Sequence, residues 1–341
     1  MSTIPAQALP ALLGRLEAAL VERELARPED FQPGLDLKTI RESTGALPLA
    51  LLDEVVALYE WHDGMSGSEL LPGLRFNSLD TAVAQCKSEI KELSEGLDSW
   101  ELDWFPVFES EGCTQFVRCG AVERGGLWYT CPEFNDLGWL ADTVQDWVEW
   151  CVRVYEEGAI YLDANMGRSI DRHKSADILR DLETGPPDVE SLVKALIGDD
   201  QLRKQKARGR LVAYQYPEAI EPLLQLLGKQ DHEVVVDAAK ILGSSGRPET
   251  ITPMIMVAAR WERRGTLDNP VLHELYRYGQ DSVTLLTDAL SADGEGLRAA
   301  AATCIGALGD ARAYPALHAA LSDPSELVRS AVTKAIAHLQ R

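Results

Sequence analysis

Apolar residues in the first half of the chain recur at two spacings. Over residues 6–26, Leu9, Leu12, Leu13, Leu16, Leu20 and Val21 share one stripe, with Glu17, Glu22, Arg23 and Glu24 off it. That is the 3.6-residue period of an amphipathic helix. Pro28 to Gly34 break it. Residues 47–64 repeat the pattern, with Leu51, Leu52, Val55, Val56 and Tyr59 on one face and Asp53, Glu54 and Glu60 off it. Pro48 suits the first turn of such a helix and Gly64 the left-handed residue that closes one. Another helix is predicted near 79–95. From residue 104 the apolar runs shorten: 104–108, 114–119 and 126–131 read as strands, with Glu123-Arg124-Gly125 as a hairpin turn. Asp142 and Gln145 have capping-box spacing and open a closing helix through Trp147, Val148, Cys151, Val154 and Tyr155 that stops at Gly158. Residues 94–103 show little periodicity and read as an exposed loop. Helices and strands in this order predict an α+β domain with a mainly antiparallel sheet.

Asn165-Met166-Gly167 and Thr184-Gly185-Pro186-Pro187 punctuate a joint that carries a short helix at 175–182. Beyond it the chain repeats itself. Pro222, Pro253 and Pro315, with Thr284 in the missing place, set a period of 31 residues. In that register Val193, Leu224, Ile255, Leu286 and Leu317 form one apolar column, and Leu192, Leu223, Met254, Leu285 and Ala316 another. Ala239-Lys240-Ile241-Leu242-Gly243 aligns with Thr303-Cys304-Ile305-Gly306 and Ala335-Ile336-Ala337 as the other helix of each pair. Ala299 to Ala302 let helices approach closely. Two short helices per unit predict an all-α solenoid. The expected boundaries are an α+β domain at 1–165, a linker at 166–187 and the solenoid at 188–341.

Two resemblances sharpen this outline. Leu47-Pro48, the apolar helix and the turn Tyr59, Trp61, His62, Asp63 and Gly64 resemble the opening of the SUKH superfamily. Arg75 to Leu79, Leu79-Asp80-Thr81-Ala82 and Trp104-Phe105-Pro106-Val107-Phe108 follow in the family's order, over roughly residues 35–160. Leu308-Gly309-Asp310-Ala311-Arg312-Ala313, Pro315-Ala316-Leu317, Leu321-Ser322-Asp323-Pro324 and Leu327-Val328-Arg329-Ser330-Ala331-Val332 resemble a short HEAT repeat. The resemblance fades towards earlier repeats and is poorest between Trp261 and Gly279. SUKH domains include bacterial immunity proteins that neutralise polymorphic toxins, often nucleases, and a yeast regulator of cell-wall synthesis. The first likeness therefore implies a toxin-binding immunity protein; the second implies a scaffold for protein partners.

Charge adds to the picture once it is divided. Residues 1–165 hold 11 Lys+Arg against 30 Asp+Glu, and residues 166–341 hold 22 against 24, so the net charge of −21 sits almost wholly in the first half. Such a half argues against binding nucleic acid or an anionic membrane and permits salt-sensitive capture of a basic protein; keeping the chain in solution is the other reading of the same charge. No apolar run approaches the ~20 residues of a membrane helix, and the first residues lack the basic start of a secretion signal. A cytoplasmic protein is the expectation, and its six cysteines, without a C-x-x-C pair, read as reduced and mostly buried thiols.

Candidate chemistry is sparse. No G-x-S-x-G, P-loop, H-E-x-x-H or dinucleotide glycine pattern occurs. His62, His173, His232, His273, His318 and His338 show no ligand spacing, so no catalytic residue, metal or cofactor is expected, and no small-molecule substrate. The basic run Arg203, Lys204, Lys206, Arg208 and Arg210 reads as a solvated helix face, with an acidic protein surface, the acidic first domain or nucleic acid as other readings; a nucleic-acid partner is not expected. Glu92, Glu95, Asp98, Glu101, Asp103, Glu109 and Glu111 surround Trp100 and Trp104. Carboxylates around an aromatic anchor suit a basic active-site cleft, the other reading being that both tryptophans are core and the acids a solvated loop. This gives the expected partner-binding set Glu92, Glu95, Asp98, Trp100, Glu101, Asp103, Glu109 and Glu111. The expected function is a non-enzymatic immunity protein occluding a basic toxin domain, the alternative a regulatory scaffold binding cellular proteins through the solenoid.

Overall fold

A computed structural model describes residues 8–94, 101–110, 112–120, 125–131, 136–162, 168–183, 188–229, 231–245, 247–262, 271, 274 and 282–340. The chain divides into two units, residues 1–187 and 188–341.

The first unit opens with α1 (Ala8–Glu22), whose Leu9, Leu12, Leu13, Leu16 and Leu20 are buried as their spacing requires. After a turn at Pro28–Asp30 come β1 (Phe31–Pro33), α2 (Leu37–Thr44), α3 (Asp53–Trp61) and β2 (His62–Met65). The α2 helix goes unread in the apolar pattern because it buries a single residue, Ile40; its start is marked by Asp36, whose carboxylate accepts from the Thr39 N–H. The α3 helix starts five residues later than Pro48 suggests. Leu47 and Leu52 both turn into the core, and Asp53 and Glu54 supply the acidic first turn that a helix N-terminus favours. It also ends before Gly64, which is left-handed (φ +82°) but lies inside β2.

A five-stranded antiparallel sheet follows. Its spatial order is the chain order: β3 (Arg75–Phe76), β4 (Trp104–Ser110), β5 (Cys113–Arg118), β6 (Leu127–Cys131) and β7 (Asp136–Ala141). Between β3 and β4 runs α4 (Leu79–Ser94). Phe105 pairs with Val117 and Val117 with Leu127, and this row joins the core of Val55, Tyr59, Phe76 and Val148. The alternate positions form a second row, where Phe116 opposes Trp128 and Trp128 opposes Trp139, all buried. The closing helix α5 (Val144–Glu156) is capped by Thr143, whose hydroxyl accepts from the Asp146 N–H at 3.0 Å, one residue later than the expected Asp142.

Between residues 168 and 183 the expected joint is folded beyond the short helix expected at 175–182. β8 (Ile160–Leu162) pairs with β9 (Arg168–Ile170), and α6 (Arg172–Leu182) packs Ile178 on Val154 and Ala159 while Trp150 Nε1 donates to Ser175 Oγ at 3.2 Å. The apolar residues on one face of α6 need cover, and α5 provides it. A second correction concerns the cysteines. Cys113 and Cys131, on facing strands with Cα atoms 4.3 Å apart, form a disulfide; Cys86, Cys119, Cys151 and Cys304 are free and buried. The register makes the pair neighbours, which linear spacing does not disclose.

The second unit is helical: α7 (Val189–Ala195), α8 (Gln201–Tyr214), α9 (Ile220–Leu226), α10 (His232–Ser245), α11 (Pro248–Glu262), α12 (Ser282–Ala289), α13 (Glu295–Leu308), α14 (Tyr314–Ala320) and α15 (Glu326–Leu339). The apolar columns fall on the first helix of each pair, where Leu223, Met254, Ile255, Leu286 and Leu317 are buried. The small-residue segments fall on the second. A Cβ on Gly306 of α13 would lie 2.8 Å from Ala335 Cα of α15, so this contact admits only glycine. The polar connection of the divergent repeat, 262–269, lies outside the described residues apart from Glu262.

Candidate interaction surfaces

The turn after α3 is a structural knot. Trp61 Nε1 donates to Glu17 Oε2 of α1 at 3.1 Å, and His62 Nε2 lies 3.1 Å from the same oxygen while its Nδ1 lies 2.9 Å from the Gln32 carbonyl. Asp63 accepts from the Leu79 N–H at 2.6 Å, fixing the start of α4. Tyr59 is fully buried, and burial pushes its phenol far above the ordinary range. The Trp61, His62 and Asp63 side chains are thus tied to α1, β1 and α4, while the buried Tyr59 hydroxyl has no hydrogen-bond partner.

The acidic cluster separates into different environments. Glu92 is exposed on α4, and half-buried Glu109 sits on β4 opposite Thr114. Glu101 and Asp103 are tied to Arg118: its Nη2 lies 2.8 Å from Glu101 Oε2 and 3.9 Å from Asp103 Oδ2, with the guanidinium 5.9 Å from the Trp128 ring. Arg118 is a buried cation whose single charge offsets one of these two carboxylates, so the group offers a partner one net negative charge and not two. Trp104 is core, stacked on Phe116 at 4.0 Å. Glu95, Asp98, Trp100 and Glu111 lie outside the described residues. Glu54 faces the start of α5 and accepts from the Val144 N–H at 3.0 Å; burial raises its carboxyl above the ordinary range. An open groove of about 570 Å³ runs between α2 and α3, lined by Leu37, Ile40, Leu47, Leu49 and Val56.

In the second unit the basic run is partly consumed. Lys204 is buried and donates to Glu233 at 3.0 Å, and Arg208 donates to Asp237 at 3.2 Å, each reaching from α8 to α10. Burial raises the Asp237 carboxyl, with Arg208 opposing. The solvated-face reading therefore fails for these two, because the next repeat brings a carboxylate 29 residues on. Arg203 remains exposed, ion-paired to Asp200 within its own helix turn. A second set of ties joins the last repeats. Arg298 Nε and Nη2 grip Asp323 at 2.7 and 3.0 Å, and its Nη1 donates to the Ala292 and Asp293 carbonyls. Arg329, one period later, makes the matching bonds to the Asp323 and Pro324 carbonyls. Arg298 holds the Asp323 carboxyl below the ordinary range.

What these ties leave open is apolar. Among the described residues of this unit, the exposed large aliphatics are Ile197, Leu321 and Leu327. Ile197 follows α7 and Leu321 follows α14, four 31-residue periods apart, both in the turn between the two helices of a repeat. Leu327 opens α15 at the end of such a turn. The signal was in the sequence as a repeat position; exposure at its two ends was not.

Residues 274–340 match the family model for HEAT repeats. No curated protein matches the chain. Among solved structures the chain is similar to a human deoxyhypusine hydroxylase in complex with glycerol, at 18% identity over 50% of this chain and 90% of that one, with a TM-score of 0.20. At that score the likeness carries no argument. The described part of the chain contains no helix long and apolar enough to cross a membrane.

Proposed function

We propose that this chain is a non-enzymatic, protein-binding scaffold whose solenoid presents its intra-repeat turns to a protein partner. HEAT repeats at 274–340 support the class, and the exposure of Ile197, Leu321 and Leu327 at those turns carries the reading. Exposed aliphatics beside satisfied ion pairs supply contact area without leaving charges unpaired on binding. The test is capture of partners by the full chain and by the variant Ile197→Asp, Leu321→Asp, Leu327→Asp, with helix content checked by circular dichroism. Loss of capture at unchanged helix content supports the reading; undiminished capture refutes it.

A second reading keeps the SUKH-like first unit as the binding module of an immunity protein for a basic toxin domain. The charge asymmetry favours it, since 30 Asp+Glu lie within residues 1–165. Among its expected contact residues that the structure describes, Glu92 and Glu109 carry the case, because Glu101 and Asp103 are engaged by Arg118. This binding would weaken steeply with salt. Binding through the aliphatic turns would not.

A further inference from the structure

Cys113 and Cys131 sit at one end of the sheet. Cys113 opens β5 directly after the tight β4–β5 turn, where it pairs with Ser110 and follows exposed, left-handed Gly112 (φ +83°). Cys131 closes β6, opposite it. Cys113 is half-buried; the remaining cysteines are not comparable. Cys86, Cys119 and Cys304 are buried, each with its thiol directed at a backbone carbonyl, those of Trp104, Val117 and Ile255 respectively. Cys151 is fully buried in α5. Burial also pushes the Cys86 thiol up to about 11 and the Cys151 thiol well above its ordinary value, which removes the reactive thiolate.

We propose that Cys113 and Cys131 form a reversible thiol–disulfide site, addressed by a small thiol or dithiol couple of the glutathione class, and that the four other cysteines take no part. An incoming thiolate attacks the more exposed Cys113 sulfur, the S–S bond breaks, and Cys131 leaves as a thiolate that takes a proton. A second thiol then attacks the mixed disulfide and releases Cys113. The protein gains two electrons and two protons while the two external thiols become a disulfide. The reverse sequence, starting from oxidised glutathione, closes the bond. Accessible disulfides exchange more readily than enclosed ones; here half-buried Cys113, beside exposed Gly112, is the sulfur open to attack, while Cys131 is buried behind it as the leaving group. Its 18-residue span covers β5 and β6, so opening it frees the end of the β4–β5 hairpin that carries Glu109.

The experiment equilibrates the full native chain in glutathione buffers from fully oxidised to fully reduced. Exchange is quenched by alkylation after denaturation, and peptides are read by mass spectrometry. The expected result is a Cys113–Cys131 pair that passes between linked and doubly alkylated within that series, in both directions, while Cys86, Cys119, Cys151 and Cys304 stay as thiols. The variant Cys131→Ser, which leaves Cys113 alone, is expected to take up one glutathione. A pair that remains linked in fully reduced glutathione, or remains open in fully oxidised glutathione, overturns the proposal. So does linkage or glutathione uptake at the other four cysteines. Reduction is further expected to lower the melting temperature of the chain by roughly 5–10 °C, from the loop-closure effect of a span of this length.

Discussion

Gly64 has a φ of +82°, and a Cβ placed on it would lie 2.6 Å from the Ser78 backbone nitrogen. An L-residue there meets both a disfavoured backbone conformation and a backbone clash. Gly64→Ala should destabilise the chain by about 1–3 kcal/mol or more in a denaturant titration. Arg118 poses the complementary electrostatic case. The side chain is 9% exposed and its partners Glu101 and Asp103 are 53% and 24% exposed. Reading residues 94–103 as exposed loop implies that Lys at Asp98, Glu101 and Asp103 leaves the fold intact; the Arg118 contacts reverse that expectation. Glu101→Lys with Asp103→Lys should cost about 1–3 kcal/mol, less than a fully buried pair because solvent screens Glu101. A thermal melt unchanged by the double substitution would show that Arg118 has other means of neutralisation.

At the scale of elements, the last two repeats depend on one carboxylate. Asp323 receives two bonds from Arg298 and one from the Ser325 N–H, at 2.8 Å. Its folded-state pKa is lowered, with the Arg298 bond the largest cause. The stabilisation is therefore complete above the unfolded carboxylate value of about 3.9 and is lost as pH falls through the folded one. Asp323→Asn should lower the melting temperature at pH 7, and the difference from the parent chain should shrink as pH falls below about 4. A difference that grows in acid would contradict the assignment. Elements of this kind were the most legible in the sequence, because a 31-residue period repeats its apolar columns and any one unit checks the others. The long helices α1, α4 and α5 were equally plain from their stripes. The elements that escaped, α2, the short β1 and β2, β7 and the hairpin of β8 and β9, are brief or bury few residues, so no period of useful length develops. The candidate site was less legible. Whether a charge is free or spent depends on what another element brings beside it, as Lys204, Arg208, Glu101 and Asp103 show.

For the molecule as a whole, the two units differ in architecture and charge, and each has its own hydrophobic core. A chain of residues 188–341 alone should melt cooperatively by circular dichroism, since solenoid repeats are stabilised chiefly by their neighbours. A non-cooperative helical signal would show that this unit requires residues 1–187. The scaffold account turns on where a partner is touched. The most direct measurement places a photocrosslinking amino acid at position 321 in one chain and at position 109 in another, irradiates each in its native lysate, and identifies the adducts. The account predicts protein adducts at 321, retained at high salt, and none at 109. Adducts at 109 alone, lost as salt rises, would contradict it and favour the acidic first unit as the binding surface.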